Sequence, residues 1–477
     1  MKETKLFHSL DALNVYELNR FNKYIQSPYF NRNERYNRFF ELLEPALRRE
    51  ENAPSKESVW AALYPGKAYD DRKMRKFTSD LLKLLEAFLA QERYEANPLH
   101  QANYLLDAVA SKKIDALYRS SVRAARRLSE MHLDRDASYY YFQYEFERGI
   151  YSIGDYEINR SEISNVENIA ENLDKFYLAE KLRYYCTVLS RQSVIRHEYN
   201  MLLINEIIRH VEEHDYADVP PITIYYQILR MYQEPDVRSH YDGLRSLIRE
   251  HILTFPELEA KEIIDSALNY SIRQINRGKR EFLREVFGLY QESLDKELLY
   301  INGELSPWAY KNIVITALRL KEFEWAERFI HQYAERLNPK YRENALSFNL
   351  AQLYFYRKEY EKVIESLQQV EYDDLSYKLN STTFLMGSYY ELDEMEALVS
   401  ILDSFRVYLN RNKEIPTSRK THYLNMIKIV KKLTRILPGD QKMIDKLKAE
   451  IEHLNAIASK GWILEKISEL ESTSVHS

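Results

Sequence analysis

The sequence predicts an all-α protein, an α-solenoid of antiparallel helix pairs behind a helical N-terminal unit. Three observations carry that expectation. Apolar residues recur at the 3.6-residue period of a helix along nearly the whole chain, and almost no segment alternates as a strand does. Glycine is scarce, at 10 of 477 residues, where an average protein has roughly 7%. Tight β-turns, P-loops and dinucleotide-binding turns need the positive φ that glycine supplies, so such a chain is poor material for them. The prolines fall mostly between apolar-periodic segments, where a missing N–H and a ring clash end a helix.

Read in order, residues 1–96 form a helical N-terminal unit. An apolar helix is expected around Leu10 to Ile25, ended by Ser27-Pro28-Tyr29-Phe30-Asn31. A second covers Asn33 to Leu47, and a third starts at Ser55, a good N-cap with Glu57 and Ser58 in the first turn. The long helix Asp70 to Gln91 carries the stripe Leu81, Leu82, Leu84, Leu85, Phe88 and Leu89 on one face. Residues 97–300 continue as a helical-hairpin array with no clear repeat. There Leu202, Leu203, Ile204, Ile207, Ile208 and Val211 make another stripe. Gly278, Gly303 and Gly439 stand where helix C-termini call for a left-handed residue. The breaks imply roughly twenty helices joined by short loops. Residues 412–472 are basic C-terminal helices, and 473–477 are a polar, flexible tail.

Residues 301–411 contain an internal repeat. Three windows start at Pro307, Asn344 and Leu379. The middle of the first helix in each carries Ile313-Val314, Leu350-Ala351 or Leu385-Met386, followed three residues on by Ala317, Tyr354 or Tyr389. A polar turn follows: Lys321-Glu322, Lys358-Glu359, Asp393-Glu394. The second helix opens on Phe323, Tyr360 or Met395. It then places Ala326, Val363, Leu398; Ile330, Leu367, Leu402; and Tyr333, Val370, Phe405 in columns. This pattern resembles the tetratricopeptide repeat, a helix-turn-helix unit of about 34 residues. Ala326 alone supplies the small residue early in the second helix, and Pro339 alone the repeat-end proline. Such a unit cannot bury its apolar face alone, so neighbours stack. The resemblance implies a curved groove that binds peptides or partner proteins. First-helix positions outside the packing columns are the expected lining: Tyr310, Asn312, Ser347, Asn349, Thr382 and Thr383.

Chemistry of other kinds finds little to work with. His210-Val211-Glu212-Glu213-His214 matches the H-x-x-E-H zinc-protease spacing, but a histidine in the last turn of a helix is better explained by the helix dipole. Cys186, the one cysteine, sits among apolar and aromatic residues as a buried structural thiol would. No internal disulfide is possible, which fits a reducing compartment. Pro65-Gly66-Lys67-Ala68 lacks the first glycine and the magnesium-binding hydroxyl of a Walker loop. The expectation is a non-enzymatic scaffold with no catalytic residues, no metal and no cofactor.

No run reaches the ~18 apolar residues that cross a bilayer, and Met1-Lys2-Glu3-Thr4-Lys5 opens no apolar leader. A cytoplasmic protein without membrane insertion is expected. The net charge of -5 does not mark the chain as a whole for nucleic acid. Its distribution does suggest local sites. From Arg406 to Lys448 there are 12 Lys or Arg against Glu414, Asp440 and Asp445, after a stretch, Glu359 to Asp403, with 11 acids. Arg419, Lys420, Lys428, Lys431, Lys432 and Arg435 are therefore candidate phosphate contacts, with Tyr408, His422 and Tyr423 interleaved for stacking. A second stripe, Arg119, Arg123, Arg126 and Arg127, shares one helix face. For both stripes the alternative is a solvated face whose cations meet acids on a neighbouring helix.

Overall fold

A computed structural model of the chain describes residues 1–49, 51–153, 163–192, 197, 199–368, 375–454 and 456–472. It is all-helical apart from one two-stranded hairpin, and helices adjacent in sequence pack on one another. The chain divides into two compact units, 1–225 and 226–477.

The first unit begins with α1 (Lys5–Asp11), α2 (Val15–Gln26), α3 (Glu34–Leu47), α4 (Lys56–Leu63) and α5 (Asp71–Glu95). These enclose one core that includes Leu10, Phe21, Ile25, Phe39, Phe40, Leu43, Trp60, Leu81, Leu85 and Phe88. The expected single helix from Leu10 to Ile25 is in fact two. Asn14 starts a new helix because its side chain accepts from the Glu17 N–H at 3.0 Å while the Glu17 carboxylate accepts from the Asn14 N–H at 2.8 Å. Then come α6 (Pro98–Lys112), α7 (Asp115–Met131), α8 (Ala137–Ile153), α9 (Val166–Gln192) and α10 (Ile204–Glu213), and α11 (Pro220–Gln233) runs across the division. Leu202 and Leu203 precede α10 and are exposed, so they do not join its apolar stripe.

The second unit holds α12 (Arg238–His251), α13 (Glu257–Asn276) and α14 (Phe282–Asp295), then the hairpin of β1 (Tyr300–Ile301) and β2 (Glu304–Leu305). Gly303 is therefore a hairpin residue rather than a helix end. It follows Asn302, both have positive φ (79° and 53°), and that pair makes the turn whose twist suits two strands. Three helix pairs follow: α15 (Pro307–Arg319) with α16 (Phe323–Tyr333), α17 (Pro339–Tyr356) with α18 (Tyr360–Leu367), and α19 (Leu375–Glu391) with α20 (Met395–Arg411). The chain continues through α21 (Thr417–Leu433), α22 (Gln441–His453) and α23 (Lys460–Ser472).

Local chemistry explains many of the starts. Asn97, Ser306 and Asn338 each cap a helix with a side-chain oxygen, and each is followed by a proline whose missing N–H costs nothing at that position. Ser55 caps α4 as expected, and Asp70, expected as the first residue of the long helix, is the cap of α5. The turns correct one inference from composition. Left-handed backbone is not scarce here. Lys113, Glu297, Lys321, Lys358 and Asp393 adopt it without glycine, with φ between 53° and 63°.

Candidate interaction surfaces

The clearest repeated geometry lies in the turns of α15–α16, α17–α18 and α19–α20. Lys321, Lys358 and Asp393 take φ of 63°, 62° and 60°. Each donates its N–H back to Leu318, Phe355 or Tyr390, and the next residue donates to Ala317, Tyr354 or Tyr389. That crossed pair of bonds is the Schellman closure, made three times at corresponding positions. The packing columns agree. Ala326, Val363 and Leu398 are fully buried, as are Ile330, Leu367 and Leu402 to within 2%. Val370 of the last column, like the polar tail 473–477, lies outside the described residues.

The residues expected to line a groove divide. Tyr310, Ser347 and Thr382 are one column of the repeat, and its first two members are buried. The Tyr310 hydroxyl donates to the Ile330 carbonyl, and its ring packs 5.3 Å from Phe329. Asn349 is fully buried, donating to the Ala345 carbonyl at 2.7 Å and accepting from Gln352 at 3.0 Å. These side chains pack the interior of the helix pairs and are not presented to a partner. First-helix positions outside the packing columns are thus not all exposed, and the Tyr310 hydroxyl and Asn349 amide find partners inside. Asn312, Thr382 and Thr383 are half-buried, with both threonine hydroxyls donating to carbonyls one turn back, at 2.8 and 2.9 Å. Trp308, overlooked in the sequence, is 64% exposed on the first turn of α15 with the Lys311 ammonium 4.6 Å from its ring centre. Its signal was its place one turn ahead of Asn312, off the face of Tyr310, Ile313, Val314 and Ala317.

The basic residues of α21 and the turn after it are half occupied. Glu450 on α22 sits between Lys428 (2.7 Å) and Lys432, which lie one turn apart, and Lys431 pairs with Asp403 on α20. The lysine hydrogen bonds hold the Glu450 carboxyl below the ordinary carboxylate range. Arg419, Lys420 and Arg435 have no acidic partner within 4 Å among the described residues. Tyr423 is buried against Phe405, their centroids 5.6 Å apart, and so offers no base-stacking face.

On α7 the opposite holds. Arg119, Arg123, Arg126 and Arg127 are all exposed, and none pairs with an acid among the described residues. Asp115 and Glu130 are the acids of this helix.

The other chemical candidates are placed as follows. His210 shares its Nε2 with the Tyr216 hydroxyl at 2.8 Å, its ring lies 4.0 Å from that of His214, and His214 Nδ1 meets the His210 carbonyl at 2.8 Å. The cavity beside His210, about 420 Å³, is lined by Asp174, Tyr177, Glu206, Arg209 and Glu213 among others. No group of three or more His, Cys, Asp or Glu side chains suited to a metal occurs among the described residues. Cys186 is buried with its thiol against the Tyr225 carbonyl at 3.3 Å, and burial pushes the thiol well above its ordinary value, away from the reactive thiolate. Gly66 and Lys67 close the turn between α4 and α5, where the Trp60 indole donates to the Lys67 and Ala68 carbonyls. No helix among the described residues is long and apolar enough to cross a membrane.

No family model matches the chain, and no curated protein or solved structure matches it either.

Proposed function

We propose that the chain is a non-enzymatic, cytoplasmic interaction scaffold. On this reading residues 301–411 are degenerate tetratricopeptide-like repeats within an α-solenoid, and their outer first-helix surface holds a segment of a partner protein. The observation that supports it is the threefold recurrence of one turn geometry together with two fully buried columns. Stacked helix pairs of this kind leave one side of each first helix uncovered, and repeat proteins bind there.

The surface differs from the expected lining. Tyr310, Ser347 and Asn349 pack the helix pairs, so the binding side consists of Trp308, Asn312, Thr382 and Thr383. An exposed tryptophan is the residue type most enriched among binding hot spots. The test is a comparison of wild-type chain with a Trp308→Ala, Asn312→Glu, Thr383→Glu variant. Both are purified with their bound proteins from the native host at matched expression, and the recovered proteins are quantified. A specific partner should fall at least tenfold while the helical signal and melting temperature stay put. An unchanged set of recovered proteins from a folded variant refutes the surface. A Tyr310→Glu variant should instead unfold the repeats, because it places a charge in a dry interior.

A further inference from the structure

The arginine face of α7 has no role in that reading. Some arginines of this protein pair with acids, among them Arg20 with Glu92 and Glu95, Arg48 with Glu44, Arg245 and Arg249 with Glu292, and Arg357 with Glu327, while others such as Arg419 and Arg435 stand singly, without an acid partner among the described residues. On α7 four arginines stand within nine residues and none has an acid partner among the described residues. Their positions fall within an arc of about 100° and along about 12 Å of helix axis. The helix is held by its other side. Ser121, Ala125 and Ser129 are buried there, one turn apart, with Ala125 in a small core with Leu106 of α6 and Phe146 of α8. A patch of guanidinium groups is thus presented on a helix that does not need that face for packing. Four like charges this close repel one another.

We propose that this face is a binding site for the phosphate backbone of a single nucleic-acid strand. Guanidinium is planar and weakly hydrated, and its fork of donors matches phosphate oxygens. Roughly twelve ångströms of contact spans several successive phosphates of one strand. One strand, rather than a duplex groove, is indicated by the flanks. A helix seated in a groove meets a backbone on each side, whereas α7 carries its cations within one arc. That arc is bordered by Ser120 and Ala124, both exposed, on one side and by Asp115 and half-buried Val122 on the other, so neither flank offers a cation to a second strand. Glu130 falls within the same arc and limits the patch at its C-terminal end. The site uses none of the repeat surface, so each proposal stands or falls alone.

The test measures fluorescence anisotropy of a labelled 20-nucleotide oligothymidylate titrated with full-length protein between 50 and 200 mM salt. Wild type should bind at 50 mM salt and weaken as salt rises. The variant Arg119→Gln, Arg123→Gln, Arg126→Gln, Arg127→Gln should bind at least tenfold more weakly. Its log-log salt dependence should be shallower by about 2 to 3, since each lost phosphate contact removes roughly 0.7 for single strands. A Trp308→Ala, Asn312→Glu, Thr383→Glu variant should bind as wild type does. The proposal is overturned if wild type fails to bind at 50 mM salt, or if the quadruple variant binds within twofold of wild type. It is also overturned if unlabelled poly-glutamate of 20 residues competes as well as unlabelled oligothymidylate, which would mark the face for acidic protein.

Discussion

Two helices of 17 residues, α7 and α21, look alike in the sequence: each lays basic residues along one face and apolar or small residues along the other. In the structure they differ. On α21 Lys428, Lys431 and Lys432 are neutralised by Glu450 and Asp403 from the helices on either side. On α7 the neighbouring helices bring Leu106, Phe146 and Ile150 to the buried face, and no acid reaches the arginines among the described residues. Spacing within a helix determines which face is charged. The next helix determines whether that charge is available to anything else. Glu450 lies 18 residues beyond Lys432, a separation at which helical periodicity carries no information.

The largest effect is expected from making α7 resemble α21. Ser120→Glu with Ala124→Glu places a carboxylate three residues before Arg123 and another three before Arg127, at exposed positions where pairs of this spacing form. Oligothymidylate affinity at 50 mM salt should drop about tenfold, through neutralisation and through repulsion of phosphate. The helical signal should be unchanged. Undiminished binding by this variant would show that the patch of arginines is not what holds the strand.

The reverse change tests the other half of the contrast. Glu450→Gln removes the carboxylate between Lys428 and Lys432 and leaves both cations free. Binding of the same oligonucleotide should rise about two- to threefold, with a steeper salt dependence by roughly 1, as two further contacts become available. No gain would mean that the α21 lysines are kept from phosphate by something other than Glu450.

The contrast also shows what was legible in the sequence. Helix class, most caps and the repeat register could be read, because they depend on residues within one or two turns. Asn97-Pro98 and Ser306-Pro307 announce helix starts locally, and the three polar turns coincide with the three left-handed residues at Lys321, Lys358 and Asp393. What failed depended on distance or on a competing local signal. The break before α2 was written in the sequence as Asn14-x-x-Glu17, but the apolar run through it was weighted more heavily. Tyr310 and Asn349 appeared to be surface residues because their partners, the Ile330 and Ala345 carbonyls, are backbone groups that no pattern of side chains displays. Lys466 is 3% exposed, bonded to Glu391 on α19, 75 residues away. Nothing near it in the chain distinguishes it from a solvated lysine.

The smallest expected effect concerns acid. The Glu450 carboxyl is held below its ordinary value of 4.5 by hydrogen bonds from Lys428 and Lys432. A carboxyl with a depressed value in the folded protein contributes stability above its unfolded value, and that stability is lost as pH falls through the depressed value. Both lysines are more than a third exposed, so the contribution is about 0.5 kcal/mol after solvent screening. In urea unfolding the Glu450→Gln variant should therefore trail wild type slightly at pH 7 and converge with it by pH 3. The α7 glutamine variant should show no such convergence. Its arginines have no carboxylate to lose among the described residues, and removing four mutually repelling charges should leave stability equal or slightly higher at both pH values. A deficit in that variant at pH 7 that vanishes in acid would reveal a carboxylate partner for the arginines, and the difference between the two helices would then be one of degree.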